Sequence, residues 1–171
     1  MFSRRRILSS LEPSIMTIET TSISSTWSPT NVTNTGTTLI WEVSGGVTIA
    51  PQTINAPTFD LSGNTGTAVI TAKNVGNVIN LGFNNRDITA LNVSECVNLE
   101  SLIANNNDIS NIDLSNNINL KGCNFQNNNI SIIDFSNNIL LETLNLRGNN
   151  LSSLDLSSNI NLQGGLEVRS N

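Results

Sequence analysis

Apolar positions recur along the second half of the chain with a period of 21 residues. Val78, Leu99, Leu120, Leu141 and Leu162 follow one another at this spacing without exception. Tandem repeats of about 20 to 50 residues are typical of solenoids, in which each repeat forms one turn that stacks on its neighbours. The pattern therefore predicts a mainly β solenoid of about 4.5 turns over residues 78–171.

Each repeat contains a similar sub-pattern twice. In one repeat the sequence LIANNN ends at Asn107, and IDLSNN ends at Asn117. Alternating apolar and polar residues indicate short strands with one buried face. We therefore expect every turn to have two similar sides, so that the solenoid carries two parallel sheets.

The apolar repeats are separated by a high density of asparagine. The chain contains 30 Asn, of which 24 lie in residues 78–171. A buried Asn side chain offers donors and an acceptor to the backbone groups that a sharp bend leaves unpaired. The recurring positions predict a structural ladder inside the solenoid, formed by Asn107, Asn117, Asn128, Asn138, Asn149 and Asn159.

These repeats resemble the leucine-rich repeat family. The segment LETLNLRGNNL at residues 141–151 matches the family pattern L-x-x-L-x-L-x-x-N/C-x-L. The doubled repeat with LDLS in its second half is also similar to 21-residue repeats of adhesin-like surface proteins of Bacteroidetes bacteria and of proteins of their phages. The resemblance implies a repeat fold with a binding role.

The first and last repeats depart from the pattern. Arg86 and Cys96 stand at the two Asn positions of the first repeat, and we expect Arg86 to mark the junction with the preceding domain. The last repeat gains one residue at Gly164-Gly165 and reaches Asn171. Because a solenoid end exposes its core, we expect further chain or another subunit to cover Asn171.

The residues before the repeats form two regions of different composition. In residues 17–77, 21 of 61 residues are Ser or Thr, and stretches such as TLIWEV predict strands. We expect a β-sandwich with Trp41 in its core, which resembles immunoglobulin-like modules. Residues 1–16 form a basic arm in which Glu12 and Pro13 interrupt the apolar stretch that an export signal needs. The predicted anchor in this arm comprises Arg4, Arg5, Arg6, Ile7 and Leu8; a free tail is the alternative.

Composition excludes several function classes. The chain has no His, so Ser-His-Asp and Cys-His catalysis and imidazole zinc sites are excluded. Residues 17–171 carry five Lys and Arg against twelve Asp and Glu, which argues against nucleic acid as the main ligand. The two cysteines, Cys96 and Cys123, lie in the apolar pattern and are predicted to be buried thiols, with a disulfide as the alternative. We expect no cofactor and no membrane span.

Two sets of outward residues are candidate sites. Asp113, Asp134 and Asp155 recur roughly 5 Å apart. They either bond the local backbone, bind Ca²⁺ or act as a carboxylate pair in glycoside hydrolysis. The first-half strands present an amide-rich face that suits hydrogen bonding to a glycan or polypeptide, or is simply solvated. This candidate binding face comprises Asn84, Ile103, Asn105, Asn124, Gln126, Asn145, Arg147, Glu167 and Arg169.

The sequence favours a non-enzymatic virion structural or attachment protein of a bacteriophage. Its N terminus would be anchored to other virion proteins within an oligomeric assembly. Its repeats would be displayed on the capsid or tail surface for recognition of a host-surface glycan, a protein or mucus. The alternatives are a bacterial cell-surface leucine-rich repeat adhesin and, third, a polysaccharide-degrading solenoid enzyme that uses the Asp residues.

Overall fold

A computed structural model describes most of the chain. The described residues are 13–36, 38–46, 49–54, 56–163 and 165–171. The predicted anchor residues of the basic arm lie outside them. The role assigned to the arm therefore stays a prediction.

The described chain is built from short β-strands and one turn of 3₁₀ helix at Val75–Asn77. The strands are, in order, β1 (Ile15–Thr20), β2 (Asn31–Asn34), β3 (Ile40–Gly45), β4 (Ile49–Gln52), β5 (Ala68–Lys73), β6 (Val78–Gly82), β7 (Ile88–Asn92), β8 (Ser101–Ile103), β9 (Gly122–Asn124), β10 (Thr143–Asn145) and β11 (Gly165–Glu167). The protein is mainly β, as predicted.

The repeats form a β-solenoid of about four turns. Strands β6, β8, β9, β10 and β11 come from the first halves of successive repeats and pair in parallel. Equivalent residues stand side by side, as Leu102, Cys123 and Leu144 do. The 21-residue period therefore corresponds to one turn of the coil.

The second parallel sheet that the sequence predicted does not form in the described residues. In the second halves of the repeats only β7 is a strand, and it pairs antiparallel with β1. Later second halves contain no strand among the described residues and make few backbone bonds between turns, such as Asn129 N to Ile109 O at 2.9 Å.

Residues 17–77 share both sheets with the first repeat. Strand β2 pairs antiparallel with β6 and extends the parallel sheet at its N-terminal edge. The other sheet has the order β4-β3-β5-β1-β7, and its last strand belongs to the first repeat. The immunoglobulin-like likeness stays a prediction; the observed arrangement joins these residues to the solenoid through backbone pairing.

One continuous hydrophobic core runs through both regions. Trp41 is fully buried, as expected, and its Nε1 donates to the Ile54 carbonyl at 2.9 Å. Trp27 stacks on Phe59 and on Phe83 of the first repeat, with ring centroids 6.2 and 6.5 Å apart. The junction is therefore packed with aromatic side chains.

Arg86 lies at this junction, where the break in the Asn pattern placed it. Its guanidinium donates to the carbonyls of Ser28 and Asn85. Its own carbonyl accepts from Trp27 Nε1 and Thr20 Oγ1. Arg86 therefore replaces the usual Asn with contacts that tie the first repeat to the preceding segment.

Burial decreases towards the last turn. Leu144 and Leu146 are fully buried, whereas Leu166 and Val168, one turn later, are about 43% and 38% exposed. The expectation that further chain or another subunit covers this end stays a prediction.

Candidate binding surface

The Asn side chains predicted to form the interior ladder are all buried, at two different corners of the coil. At the corner after each parallel strand, Asn128 Nδ2 donates to the carbonyls of Ala104 in the preceding turn and Phe125 in its own turn, both at 2.9 Å. Its Oδ1 accepts from Ile109 N at 3.0 Å. Each such Asn satisfies three backbone groups that the bend leaves without ladder partners. The same corner contains Asn107, Asn149 and Asn171.

At the corner after each second half, the Asn side chain bonds only through its Nδ2 donor. Asn138 Nδ2 donates to the carbonyls of Leu114 and Asn117 at 3.1 and 2.9 Å. The Oδ1 atoms of Asn117, Asn138 and Asn159 have no hydrogen-bond partner. The sequence pattern showed one alternating series of Asn, and the structure separates it into two ladders of unequal bonding.

The Asp residues at equivalent positions in the second halves form local turns. Asp113, Asp134 and Asp155 each accept through Oδ1 from the backbone N of the Ser two residues later, at 2.8 to 2.9 Å. Asn92 makes the same bond to Ser94 N at 3.0 Å in the first repeat. An amide side chain therefore forms the same turn as a carboxylate. The shared role of these positions is to form the turn, and it does not require a charge.

The electrostatics of these turns agree with their geometry. The backbone and hydroxyl bonds from the following Ser lower the pKa of Asp113 and of Asp155. A general acid in glycoside hydrolysis needs its pKa raised. Among the described residues no cluster of three or more His, Cys, Asp or Glu side chains is placed to hold a metal ion. The calcium and catalytic interpretations thus gain no structural support.

The predicted binding face is the outward side of the parallel sheet, here called the sheet face. Backbone bonds between turns continue past the strands, as in Asn106 N to Gln126 O at 2.8 Å, so the sheet face has a rigid backbone. At its N-terminal edge β2 continues the sheet, and Asn84 N donates to Oγ1 of Thr30, the residue before β2, at 3.4 Å. The other predicted residues lie on neighbouring turns: Ile103, Asn105, Asn124, Gln126, Asn145, Arg147, Glu167 and Arg169.

The C-terminal part of the sheet face contains a polar groove of about 390 Å³. Asn145 Nδ2 donates to Gln126 Oε1 of the preceding turn at 3.3 Å. Arg169 Nε lies 3.6 Å from Glu167 Oε2. The structure therefore gathers the charged members of the predicted face into one place. Its lining residues are Gln126, Asn145, Arg147, Glu167, Arg169 and Ser170, and Ser170 was not predicted.

Sequence reasoning missed an exposed apolar column on another corner of the coil. Val97, Ile118, Ile139 and Ile160 occupy one repeat position and are between 47% and 82% exposed. Asn side chains of the following turns donate to the Val97 and Ile139 carbonyls at 3.0 Å and fix this corner. The sequence contained the signal for this column. Its residues are also 21 apart, and each directly follows a Cys or Asn that points inward.

Cys96 and Cys123 are both buried free thiols, as predicted. Burial raises the pKa of Cys96 to about 12, and it also raises the pKa of Cys123. Cys96 occupies the position of Asn117, whereas Cys123 occupies that of Leu102. The two thiols therefore do not stack on one another along the coil.

Comparison with known proteins gives a limited result. No family model matches the chain, and no curated protein matches it. Among solved structures, it is similar to one described as the functional domain of InlJ from Listeria monocytogenes, which includes a cysteine ladder. The identity is 26%, the TM-score is 0.40, and the match covers 54% of this chain and 26% of that one. The chain thus spans about a quarter of the length of that structure.

The described part of the chain contains no helix that is long and apolar enough to cross a membrane; its one 3₁₀ turn has three residues.

Proposed function

We propose that this protein is a non-enzymatic recognition protein whose sheet face binds a glycan or protein on a host surface. The observation that carries the proposal is the rigid, amide-rich sheet face, which ends in a groove with two guanidinium groups. Its backbone is fixed by ladder bonds, so binding costs little ordering of the loops or strands. The Asp residues at equivalent positions are occupied by turns and are not proposed as catalytic groups.

A matched pair of substitutions tests the sheet face. Ile103→Glu places a carboxylate in the middle of the sheet face, where Ile103 is half-buried. Ile132→Glu makes the same chemical change at a 77% exposed residue in a second-half segment, away from the sheet face. We expect the first variant to lose attachment to host cells and the second to keep it, with both remaining folded. Equal attachment by the two variants would exclude the sheet face as the binding surface.

We further propose that the protein belongs to a bacteriophage virion, where residues 1–16 contact other virion proteins and the repeats face outward. The support is the resemblance of the doubled repeats together with the contrast between a basic arm and an acidic remainder of the chain. A bacterial cell-surface adhesin is the alternative, because the same sheet face would serve it equally well.

Mass spectrometry of purified particles distinguishes these placements. The virion proposal expects this chain in the particles and its loss when residues 1–14 are deleted. If the deleted form is still incorporated, the arm is not the anchor. If the chain is found in a bacterial surface fraction and not in particles, the adhesin proposal replaces it.

A further inference from the structure

The cationic side chains are unevenly distributed in this acidic protein. Residues 17–171 contain five Lys and Arg. Three of them have partners away from the sheet face: Lys73 with Glu42 at 2.6 Å, Lys121 with Glu100 at 2.9 Å, and Arg86 with the carbonyls of Ser28 and Asn85. The remaining two, Arg147 and Arg169, line the same groove of the sheet face.

Arg147 and Arg169 occupy equivalent places on successive turns. The backbone bond from Gly148 N to Arg169 O, 3.0 Å long, sets these turns side by side, at the usual strand spacing of about 4.8 Å. Arg169 makes a loose, exposed contact with Glu167 at 3.6 Å. The Arg147 guanidinium has no ion-pair partner among the described residues. The groove therefore holds two cations and one anion.

Planar donors of this kind suit an anionic oxygen group. A guanidinium presents a fork of N–H donors that matches a carboxylate or a sulfate, and such charge-assisted bonds are stronger than neutral ones. Beside it, the bonded amides of Asn145 and Gln126 leave further donor and acceptor positions that suit hydroxyl groups. The combination fits a ligand that carries both anionic groups and hydroxyls.

The lining of the groove favours a glycan over a protein. Protein interfaces bury a central patch rich in aromatic and apolar side chains. Every side chain that lines this groove is polar or charged. Ile103, the apolar residue of the sheet face, lies two turns away on β8.

We infer that the groove binds the anionic group of an acidic polysaccharide, with Arg147 and Arg169 as its cationic contacts and Asn145 and Gln126 as hydroxyl contacts. The inference rests on the proposed recognition function and gives it a ligand class. Carboxylated and sulfated sugars share the chemistry that the groove recognises.

Calorimetric titration of the full chain tests the inference with four probes. These are oligogalacturonate as the carboxylated glycan, heparin oligosaccharide as the sulfated glycan, dextran oligosaccharide as the neutral glycan and poly-glutamate as an acidic polypeptide. We expect binding of at least one anionic glycan, no binding of dextran, and weaker binding of poly-glutamate. Binding should decrease as salt rises, because the groove is open to solvent.

Four variants separate a specific groove from general charge. Arg147→Ala should weaken glycan binding about ten-fold or more, and Arg147→Lys should retain part of it because the charge remains without the fork. Glu167→Gln should tighten binding by removing the like charge. Lys121→Ala removes one positive charge outside the groove and should leave the affinity within about two-fold. The three side chains changed, Lys121, Arg147 and Glu167, are all exposed, so the variants should fold.

Three results would overturn the inference: no anionic glycan binds, Lys121→Ala weakens binding as much as Arg147→Ala, or poly-glutamate binds as tightly as the glycans. Failure here is distinguishable from failure of the proposed function. If Ile103→Glu abolishes host attachment while Arg147→Ala does not, the sheet face recognises its target without this subsite.

Discussion

Replacing Asn128 by Leu tests whether the buried amides hold the coil together. Leu fills a similar space but removes the two donor bonds to Ala104 O and Phe125 O and the acceptor bond from Ile109 N. Only Ile109 N then lies buried without a partner, because Ala104 O still accepts from Asn107 Nδ2 and Phe125 O still accepts from Asn149 Nδ2. The unpaired N–H costs about 1 to 3 kcal/mol and each lost bond to a carbonyl about 1 kcal/mol, while the added apolar burial offsets about 1.5 to 3 kcal/mol. We expect a net loss of about 1 to 3 kcal/mol in the free energy of unfolding.

The same substitution at the other corner should cost less. Asn138→Leu removes two donor bonds, to Leu114 O and Asn117 O, but its Oδ1 had no partner to lose. Both carbonyls keep a backbone donor, Asn117 N and Leu120 N respectively, and the unpaired acceptor is removed. We therefore expect a net loss of less than about 1 kcal/mol. The structure therefore predicts an order of stability as well as a direction.

Thermal unfolding followed by far-ultraviolet circular dichroism measures both variants. For a chain of this size 1 kcal/mol corresponds to about 2 to 4 °C in melting temperature. Asn128→Leu should lower it by about 5 °C and Asn138→Leu by less than about 3 °C. Asn129→Leu, at an exposed neighbouring residue, is the control and should change little. An unchanged melting temperature for Asn128→Leu, or the reverse order of the two buried variants, would refute the ladder argument.

Further substitutions test other features. Asp113→Asn should keep the turn to Ser115 N. It should also reduce the dependence of the free energy of unfolding on pH below about pH 4, measured by thermal unfolding at a series of pH values. The pKa of Asp113 is lowered in the folded state, so its contribution is complete above about pH 4 and is lost as the pH falls through the lowered value. Ile160→Thr should leave the melting temperature almost unchanged, whereas Ile130→Thr in the core should cost about 2 kcal/mol or more. Cys96 should react with a thiol reagent only at the rate of unfolding, because it is buried and its pKa is raised to about 12; fast labelling of the native protein would contradict this.

The sequence predicted the solenoid well because its period is long and regular. A 21-residue spacing of Leu and Val with Asn at fixed places leaves few other ways to bury the apolar residues, and the structure places Leu102, Cys123 and Leu144 side by side as the repeat requires. The predicted sheet face also follows directly, because alternate residues of a strand point to the same side.

The sequence pattern could not show that the second parallel sheet is absent from the described residues, or that residues 17–77 share both sheets with the first repeat. The reasons are physical. Periodicity identifies which residues point inward, but it does not show whether the backbone N–H and C=O groups of one segment align with those of the next turn. Pairing between β1 and β7, or between β2 and β6, depends on how the N-terminal residues dock. That docking is decided by long-range contacts such as Trp27 on Phe83 and Arg86 with Ser28.

Side-chain direction separates the roles of asparagine within one turn. Asn128 points inward and bonds the backbone of two turns, whereas Asn124 points outward on the sheet face. The inward positions keep the same residue type because every turn offers the same backbone groups. The outward positions are free of that requirement, and they change from Ile103 and Asn124 to Asn145 and Glu167 along one column of the sheet. The coil is thus held by one set of residues while another varies on the sheet face, which is why the charged groove can lie in the last turns without disturbing the ladder.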